Sequence, residues 1–210
     1  MGLFIWDSQP SKIFVGDTPI SKVFLWDTQV RPTKYEYSYD FTTGNQSDFT
    51  SQWWSFPTGC SITSNGLSST SSRSALDVTT YPWIYDALQT AKKVHVEMTR
   101  QKTWSTDRSQ HSFGIVPWGA WIYWDWYSNR VSVGGTNYLN SQKAISNGTY
   151  LLTNDVDLVN KTVTWSVPWY FSGSATVADT DIENVRTATG MSIKVSSYSR
   201  IKDIKLIITY

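Results

Sequence analysis

The densest chemistry-bearing run in the chain is Trp118-Gly119-Ala120-Trp121-Ile122-Tyr123-Trp124-Asp125-Trp126-Tyr127. Successive side chains of a strand alternate between its two faces. Trp121, Tyr123, Asp125 and Tyr127 therefore share one face, and Ile122, Trp124 and Trp126 share the other. Ile122 nominates the second set as core, which leaves the first set facing outward or into a groove. Flat aromatic rings stack on sugar faces, and a carboxylate accepts hydrogen bonds from sugar hydroxyls, so this pattern suits a non-catalytic carbohydrate site. Trp83, in Pro82-Trp83-Ile84-Tyr85-Asp86, and Trp169, in Pro168-Trp169-Tyr170, are aromatics that could line the same site. The competing reading stays open: Trp fills volume in a thick sandwich core, and the loop aromatics anchor their loops.

Glycosidic hydrolysis needs two carboxyl groups at a set separation across the scissile bond. Glu occurs only at Glu36, Glu97 and Glu183, far apart in sequence. The paired acids are Asp155/Asp157, placed on one strand face by their i, i+2 spacing, and Asp179/Asp181, in an expected loop near Glu183. Both pairs read as surface acids, and no catalytic residue is assigned. Oxygen ligands from one loop suit calcium, which makes Asp179, Asp181 and Glu183 the candidate metal set. His95, on the polar phase of a strand, and His111 read as structural, because no nucleophile elbow accompanies them. No glycine-rich phosphate loop occurs, so nucleotide binding is unsupported. Cys60 is the single cysteine, which excludes an internal disulfide and a cysteine-based zinc site. No cofactor is expected.

Composition narrows the function further. Of 210 residues, 12 are Trp and 12 are Tyr, while charged residues are 17% and the formal net charge is +1. Ser and Thr make up about a quarter of the chain. Aromatic and β-branched residues suit a pleated, half-buried surface, and a chain this rich in them is not disordered. A near-neutral balance lacks the basic excess that drives phosphate binding, so nucleic acid is not an expected partner. Met1 to Asp7 has neither the basic region nor the long apolar stretch of a signal peptide. No run reaches the roughly 18 to 20 apolar residues of a membrane helix. The expectation is synthesis in a cytoplasm, without membrane insertion.

Two kinds of element must carry these residues. The first 34 residues repeat with a period of ten, as in Lys12-Ile13-Phe14-Val15-Gly16-Asp17-Thr18 and Lys22-Val23-Phe24-Leu25-Trp26-Asp27-Thr28. Asp-Ser/Thr is turn chemistry, so each unit reads as strand, tight turn, strand. Units this short cannot bury their own core. Ile5, Trp6, Ile13, Phe14, Val15, Val23, Phe24, Leu25 and Trp26 are the expected attachment or oligomerisation residues; the alternative is a small hairpin packed on the following domain. Pro32 marks the boundary. From residue 35 to 210, ten or more short strands separated by turn signals predict an antiparallel β-sandwich or jelly roll. Expected turns include Asn65-Gly66, Ser128-Asn129 and Asn160-Lys161, and a short helix is expected from Pro82.

The ten-residue units resemble the short repeats of tailed-phage structural proteins, where they sit at the ends of fibre, baseplate or capsid-decoration subunits. The opening strand Tyr37-Ser38-Tyr39-Asp40-Phe41, the hairpin Asp155 to Trp165 and the closing segment Arg200 to Ile208 are together similar to concanavalin-like and laminin-G-like lectin sandwiches, in which the final strand returns beside the first. These resemblances imply a non-enzymatic virion protein, made in the host cytoplasm, that attaches through residues 1–34 and displays a carbohydrate-binding β-sandwich over residues 35–210. The implied partners are itself, as a homo-oligomer such as a trimer, other virion proteins and host-surface glycans. The alternatives are a purely structural adaptor or decoration subunit without glycan binding, and a glycoside hydrolase on the same sandwich. Removal of residues 1–34 is expected to lower the oligomeric mass measured by size exclusion with light scattering. An identical mass for full-length and truncated protein would count against the repeat as an assembly module.

Overall fold

The computed structural model describes residues 14–15, 18–19, 23–25, 28–30, 33–51, 55–56, 59–70, 74–78, 82–102, 111–117, 119–124, 129–141, 146–167, 171–195 and 199–210. In the repeat region β1 (Phe14–Val15) pairs antiparallel with β2 (Thr18–Pro19), and β3 (Val23–Leu25) pairs with β4 (Thr28–Val30). Val15 opposes Thr18 and Leu25 opposes Thr28, so the strand pairing repeats with the ten-residue period of the sequence. Ile5, Trp6, Ile13 and Trp26 lie outside the described residues.

The rest of the described chain runs β5 (Lys34–Asp40), α1 (Gln46–Ser51), β6 (Cys60–Thr63), β7 (Gly66–Ser69), β8 (Ser74–Val78), α2 (Pro82–Thr90) and β9 (Lys93–Lys102). Then follow β10 (His111–Val116), β11 (Ala120–Trp124), β12 (Asn129–Val133), β13 (Thr136–Ser141), β14 (Gly148–Asp157) and β15 (Thr162–Val167). β16 (Phe171–Thr176), α3 (Asp179–Arg186), β17 (Gly190–Val195) and β18 (Ser199–Thr209) close it. The smaller sheet has the order β13-β12-β11-β10-β17-β8. The larger has the order β16-β15-β14-β9-β18-β7-β6, with β5 also paired to β18.

Alternation along the strands explains why these sheets meet. From the smaller sheet Phe113, Ile115, Ile122, Val131, Val133, Met191 and Ile193 turn inward. Val94, Val96, Met98, Leu152, Val156, Val163, Ile204 and Leu206 face them from the larger. All are nearly or fully buried, and each such side chain is worth roughly 1.5–3 kcal/mol of transfer energy. Asn154 is fully buried among them. Its side-chain amide on β14 crosses the interior and donates to the backbone carbonyls of Trp121 and Ser132, each at 3.3 Å. A buried amide without such partners would be costly, so this contact fixes where β11 and β12 sit over β14.

β18 is the pivot of the larger sheet. It pairs with β9 along one edge from Ser199 to Thr209. Its other edge meets β7 at Ile201 and β5 from Asp203 onward. An irregularity between Ile201 and Asp203 accompanies this change of partner, the local kink that an extra residue brings to a ladder. The final strand thus returns beside β5, the first strand of the sandwich, as the resemblance to lectin sandwiches implied.

Several expected boundaries move. The polar run from Ser68 to Ser74 carries no apolar alternation, yet Ser68–Ser69 complete β7 and Ser74 opens β8. Gly148 to Asp157 form one long strand, β14, because it pairs with β9 along its whole length. Asn129 opposes Trp124 within the ladder and is not part of a two-residue turn. Asn160-Lys161 does lie in the turn between β14 and β15, with Lys161 at φ 54°. The helix from Pro82 is present as α2.

The segment expected to be a loop around Asp179 is α3, and this overturns the calcium set. Asp181 is buried at 5% exposure. It accepts hydrogen bonds from the Thr136 hydroxyl at 3.0 Å and the Tyr138 hydroxyl at 2.6 Å. Asp179 instead pairs with Lys161 at 2.6 Å, and Glu183 is exposed. No cluster of three metal-ligating side chains occurs among the described residues. Burial, with Asp181 second, raises the Tyr138 pKa. Gly134 sits against this knot at φ +60°, where a Cβ would come within 2.2 Å of the Asp181 Cα. Arg186 closes the other end of α3 by donating to the carbonyls of Leu88, Gln89 and Ala91 at the end of α2, groups that a helix terminus leaves without intrahelical partners.

The outward face of the larger sheet carries a charged ladder. His95 Nδ1 lies 2.6 Å from Asp155 Oδ1, and Nε2 lies 3.2 Å from Glu97 Oε2. Glu36 pairs with Lys34 at 2.8 Å and with Lys205 at 3.3 Å. Asp157, with Asp155 on this face, takes the backbone N–H groups of Val159 and Asn160. The hydrogen bond to Asp155 is the main reason the His95 pKa stands above its ordinary value, partly offset by burial. Burial, helped by Glu97 and Asp40, raises that of Asp203.

Two outcomes follow from these contacts. Tyr138→Phe is expected to cost about 2 kcal/mol in chemical denaturation, the scale of a hydrogen bond to a charged group; a loss below about 0.5 kcal/mol would show that Asp181 does not tie α3 to β13. For His95 the raised folded pKa means that its ion pairing stabilises fully below the unfolded value of about 6.5 and fades as pH rises through the folded value. The gap in Tm between wild type and His95→Gln should therefore be widest near pH 5.5–6 and shrink towards pH 8. A gap independent of pH would contradict the pairing.

Candidate functional site

The outward face of the smaller sheet holds the site. Two rungs cross it. In one, Ser192 on β17 opposes Gly114 on β10, which opposes Trp121 on β11, which opposes Ser132 on β12. In the next, Lys194, Ser112, Tyr123 and Arg130 stand in the same strand order. On these strands the intervening residues Phe113, Ile122, Val131 and Ile193 are buried inward, so both rungs belong to the outward phase.

A concave site of about 270 Å³ opens on this face, lined by Ser112, Gly114, Val116, Pro117, Trp121, Ser192 and Lys194 among its nine residues. Its base is made of small groups. Ser112 and Ser192 are buried at 3% and 7% exposure. Gly114 leaves room that no other residue could, since a Cβ there would fall 2.3 Å from the Trp121 Cβ. Trp121 is half-buried and Lys194 is exposed at the rim. The amide of Asn154 holds the backbone of Trp121 from beneath, so the ring stands on a strand fixed from the interior. The volume lies just under the roughly 300–1,000 Å³ of small-molecule pockets, enough for a small cyclic group laid against an indole. The chemistry on offer is a flat aromatic face, buried hydroxyls and one ammonium.

The run that opened the sequence is thus partly placed. Ile122 is core at 2% exposure, and Trp121, half-buried, lies on the opposite phase of β11. The side chain of Tyr123 and all of Asp125, Tyr127 and Trp169 lie outside the described residues. Trp83 is the second residue of α2, with its side chain also outside them. Of the six expected glycan-site residues, Trp121 is the one that the described pocket contains. Ser112, Ser192 and Lys194 were not anticipated. The alternation Met191-Ser192-Ile193-Lys194-Val195 does mark Ser192 and Lys194 as outward. What the sequence does not announce is that β17 pairs with β10.

The histidines separate. His95 belongs to the charged ladder of the opposite sheet. His111 is fully buried, with both ring nitrogens lacking a hydrogen-bond partner; burial, and then the nearby Arg100, push its pKa well below the ordinary value. It stays neutral inside the sandwich.

No family model matches the chain, and no curated protein matches its sequence. Its structure is similar to that of arcelin-5, a lectin-like defense protein from Phaseolus vulgaris, with a TM-score of 0.56 and 10% identity over 85% of this chain and 99% of that one. It is similar also to the Emp46p carbohydrate recognition domain, with a TM-score of 0.54 and 8% identity over 81% of this chain and 95% of that one. A sialidase is matched at a TM-score of 0.49 and 10% identity over 83% of this chain, which spans 18% of that enzyme's length. At these identities the likeness establishes architecture alone: an all-β, antiparallel sandwich of the kind these lectin-like neighbours have.

Proposed function

We propose that this chain is a non-enzymatic glycan-binding protein whose contact surface is the outward face of the smaller sheet, centred on Trp121. The observation that carries the reading is the Trp121 ring beside a base of buried Ser112, Gly114 and Ser192. A sugar ring laid on the indole would bury its apolar C–H face there while its hydroxyls exchange hydrogen bonds with the serines. The described lining contains no carboxyl group, whereas glycosidic cleavage uses two flanking one bond. The His95, Glu97 and Asp155 cluster lies on the other sheet, where each ring nitrogen already faces a carboxylate. The lectin-like neighbours, one of them named as a carbohydrate recognition domain, agree with binding as the function of this sandwich.

The ten-residue repeats and their likeness to tailed-phage structural proteins extend the proposal. The chain would be a virion subunit of a fibre, tail or capsid decoration, made in the host cytoplasm and attached through residues 1–34. Homo-oligomers would then present several weak glycan sites at once, and symmetry would raise avidity without new contacts. The full-length protein is expected to bind a subset of glycans on an array. Trp121→Ala should weaken that binding at least tenfold, which corresponds to about 1.4 kcal/mol, without loss of thermal stability. Absence of any glycan binding, or unchanged binding by a folded Trp121→Ala variant, would overturn the reading and leave the purely structural subunit.

A further inference from the structure

We infer that the Trp121 pocket selects acetamido sugars, hexoses that carry an N-acetylated amine, with Ser112 and Ser192 as the amide-recognising groups. The inference rests on the glycan reading above and adds the chemical class of the ligand.

The register of the smaller sheet makes the pocket a slot. Ser192 on β17 and Trp121 on β11 flank Gly114 on β10. Two strand spacings, about 9.5 Å, separate the outer pair, and the glycine puts no side chain between them. Along β10 the same face continues to Ser112 in one direction and to Val116 in the other. Val116 is half-buried, lines the pocket beside Pro117 and stands opposite Gly190, a second position without a side chain. The described walls are therefore an indole on one side, hydroxyls on the other side and at one end, and an apolar corner at the far end.

Ser112 is the group that calls for a ligand atom. It is 3% exposed, it lines the pocket, and its hydroxyl has no hydrogen-bond partner among the described residues. A hydroxyl withdrawn from water without a partner is costly, and the pocket is the side from which one can reach it. Ser192 is the diagonal neighbour of Ser112 across the β10–β17 ladder, roughly 7–8 Å away between backbones. A secondary amide presents its carbonyl and its N–H on opposite edges of one plane. With a hydrogen bond of about 2.9 Å at each edge, it spans that separation. Ser112 donates to the amide carbonyl, and the amide N–H donates to the Ser192 oxygen, since a hydroxyl oxygen has two acceptor lone pairs. The methyl group then lies on the apolar side of the slot, over Gly114 and towards Val116, while the pyranose stays against the indole. A plain hydroxyl at the same sugar carbon would meet one serine and leave the apolar corner unfilled. A free ammonium carries donors and no acceptor, so it offers nothing to the Ser112 proton.

The full-length protein and its Ser112→Ala and Val116→Thr variants are compared on an array of N-acetylhexosamine oligosaccharides of the gluco and galacto series. Each is printed beside its de-N-acetylated amine and its 2-hydroxyl counterpart of the same linkage. Wild type should prefer the acetamido member at least tenfold. Ser112→Ala should cut that preference at least fivefold while binding 2-hydroxyl members within twofold of wild type. Val116→Thr keeps the side-chain shape and places a hydroxyl in the apolar corner, and it should cut the preference likewise. Should Ser112→Ala fail to fold, Val116→Thr decides by the same criterion. Equal binding of the three forms, a preference for the amine or hydroxyl form, or an acetamido preference that survives Ser112→Ala in a folded protein overturns the inference while the glycan reading stands. Absence of binding to every glycan overturns both.

Discussion

The structure depends on one ladder, β14-β9-β18, at the centre of the larger sheet. β9 is hydrogen-bonded on both edges, from Lys93 to Lys102 on the β14 side and over the same residues on the β18 side. A strand held this way has its register fixed, and a slip of one residue would turn every apolar side chain to the wrong face. With the register fixed, Val94, Val96 and Met98 must point inward, and His95, Glu97 and Thr99 must point outward. The smaller sheet is then the lid over that apolar surface. Asn154, on the same ladder, reaches through to grip the carbonyls of Trp121 and Ser132. The position of the candidate site is therefore set from inside the molecule by the sheet that does not carry it.

The two outward faces diverge in chemistry. The larger sheet shows a network of matched charges, in which His95 lies between two carboxylates and Glu36 between two lysines. The described outward face of the smaller sheet shows small polar groups and an indole, with Lys194 at the rim of the pocket. Exposed ion pairs contribute little each, about 0–1 kcal/mol, so the charged ladder is best understood as a solvated surface that keeps one face of the sandwich from binding apolar rings. Among the described residues the opposite face carries no such ladder of ion pairs. Concave shape, an aromatic wall and buried hydroxyls occur together there.

How much of this was legible in the sequence varies with the range of the interaction involved. Alternation is local, so the strands around Val94, Ile122, Val163 and Met191 could be read, as could the outward phase of Trp121. The i, i+2 placement of Asp155 and Asp157 on one face was equally local. The return of the last strand beside the first came through a resemblance. What failed depended on partners that the local alternation does not reveal. β13 and β16 carry Thr, Asn, Ser and Gly in place of a strong apolar alternation, and their neighbours β12 and β15 hold them as strands. Asp179 to Arg186 looks like an acidic loop until Ile182 and Val185 are seen as the buried side of a helix. Asp181, read as a metal ligand, is satisfied by hydroxyls more than forty residues away. The pocket shows the same limit. Trp121 was visible, but Ser112, Ser192 and Lys194 join it through the pairing of β10 with β17, a partnership across some eighty residues that no local pattern encodes.

The most direct test of the central claim is where ligand contact falls on the molecule. Backbone amide shifts of the full-length protein, recorded by NMR during titration with an oligosaccharide identified from the array, report this residue by residue. Perturbations gathered at Ser112, Gly114, Trp121, Ser192 and Lys194 are the expected result, with the ladder around His95 and Asp155 unmoved. Perturbations centred on the larger sheet, or away from the Trp121 face altogether, would contradict the account.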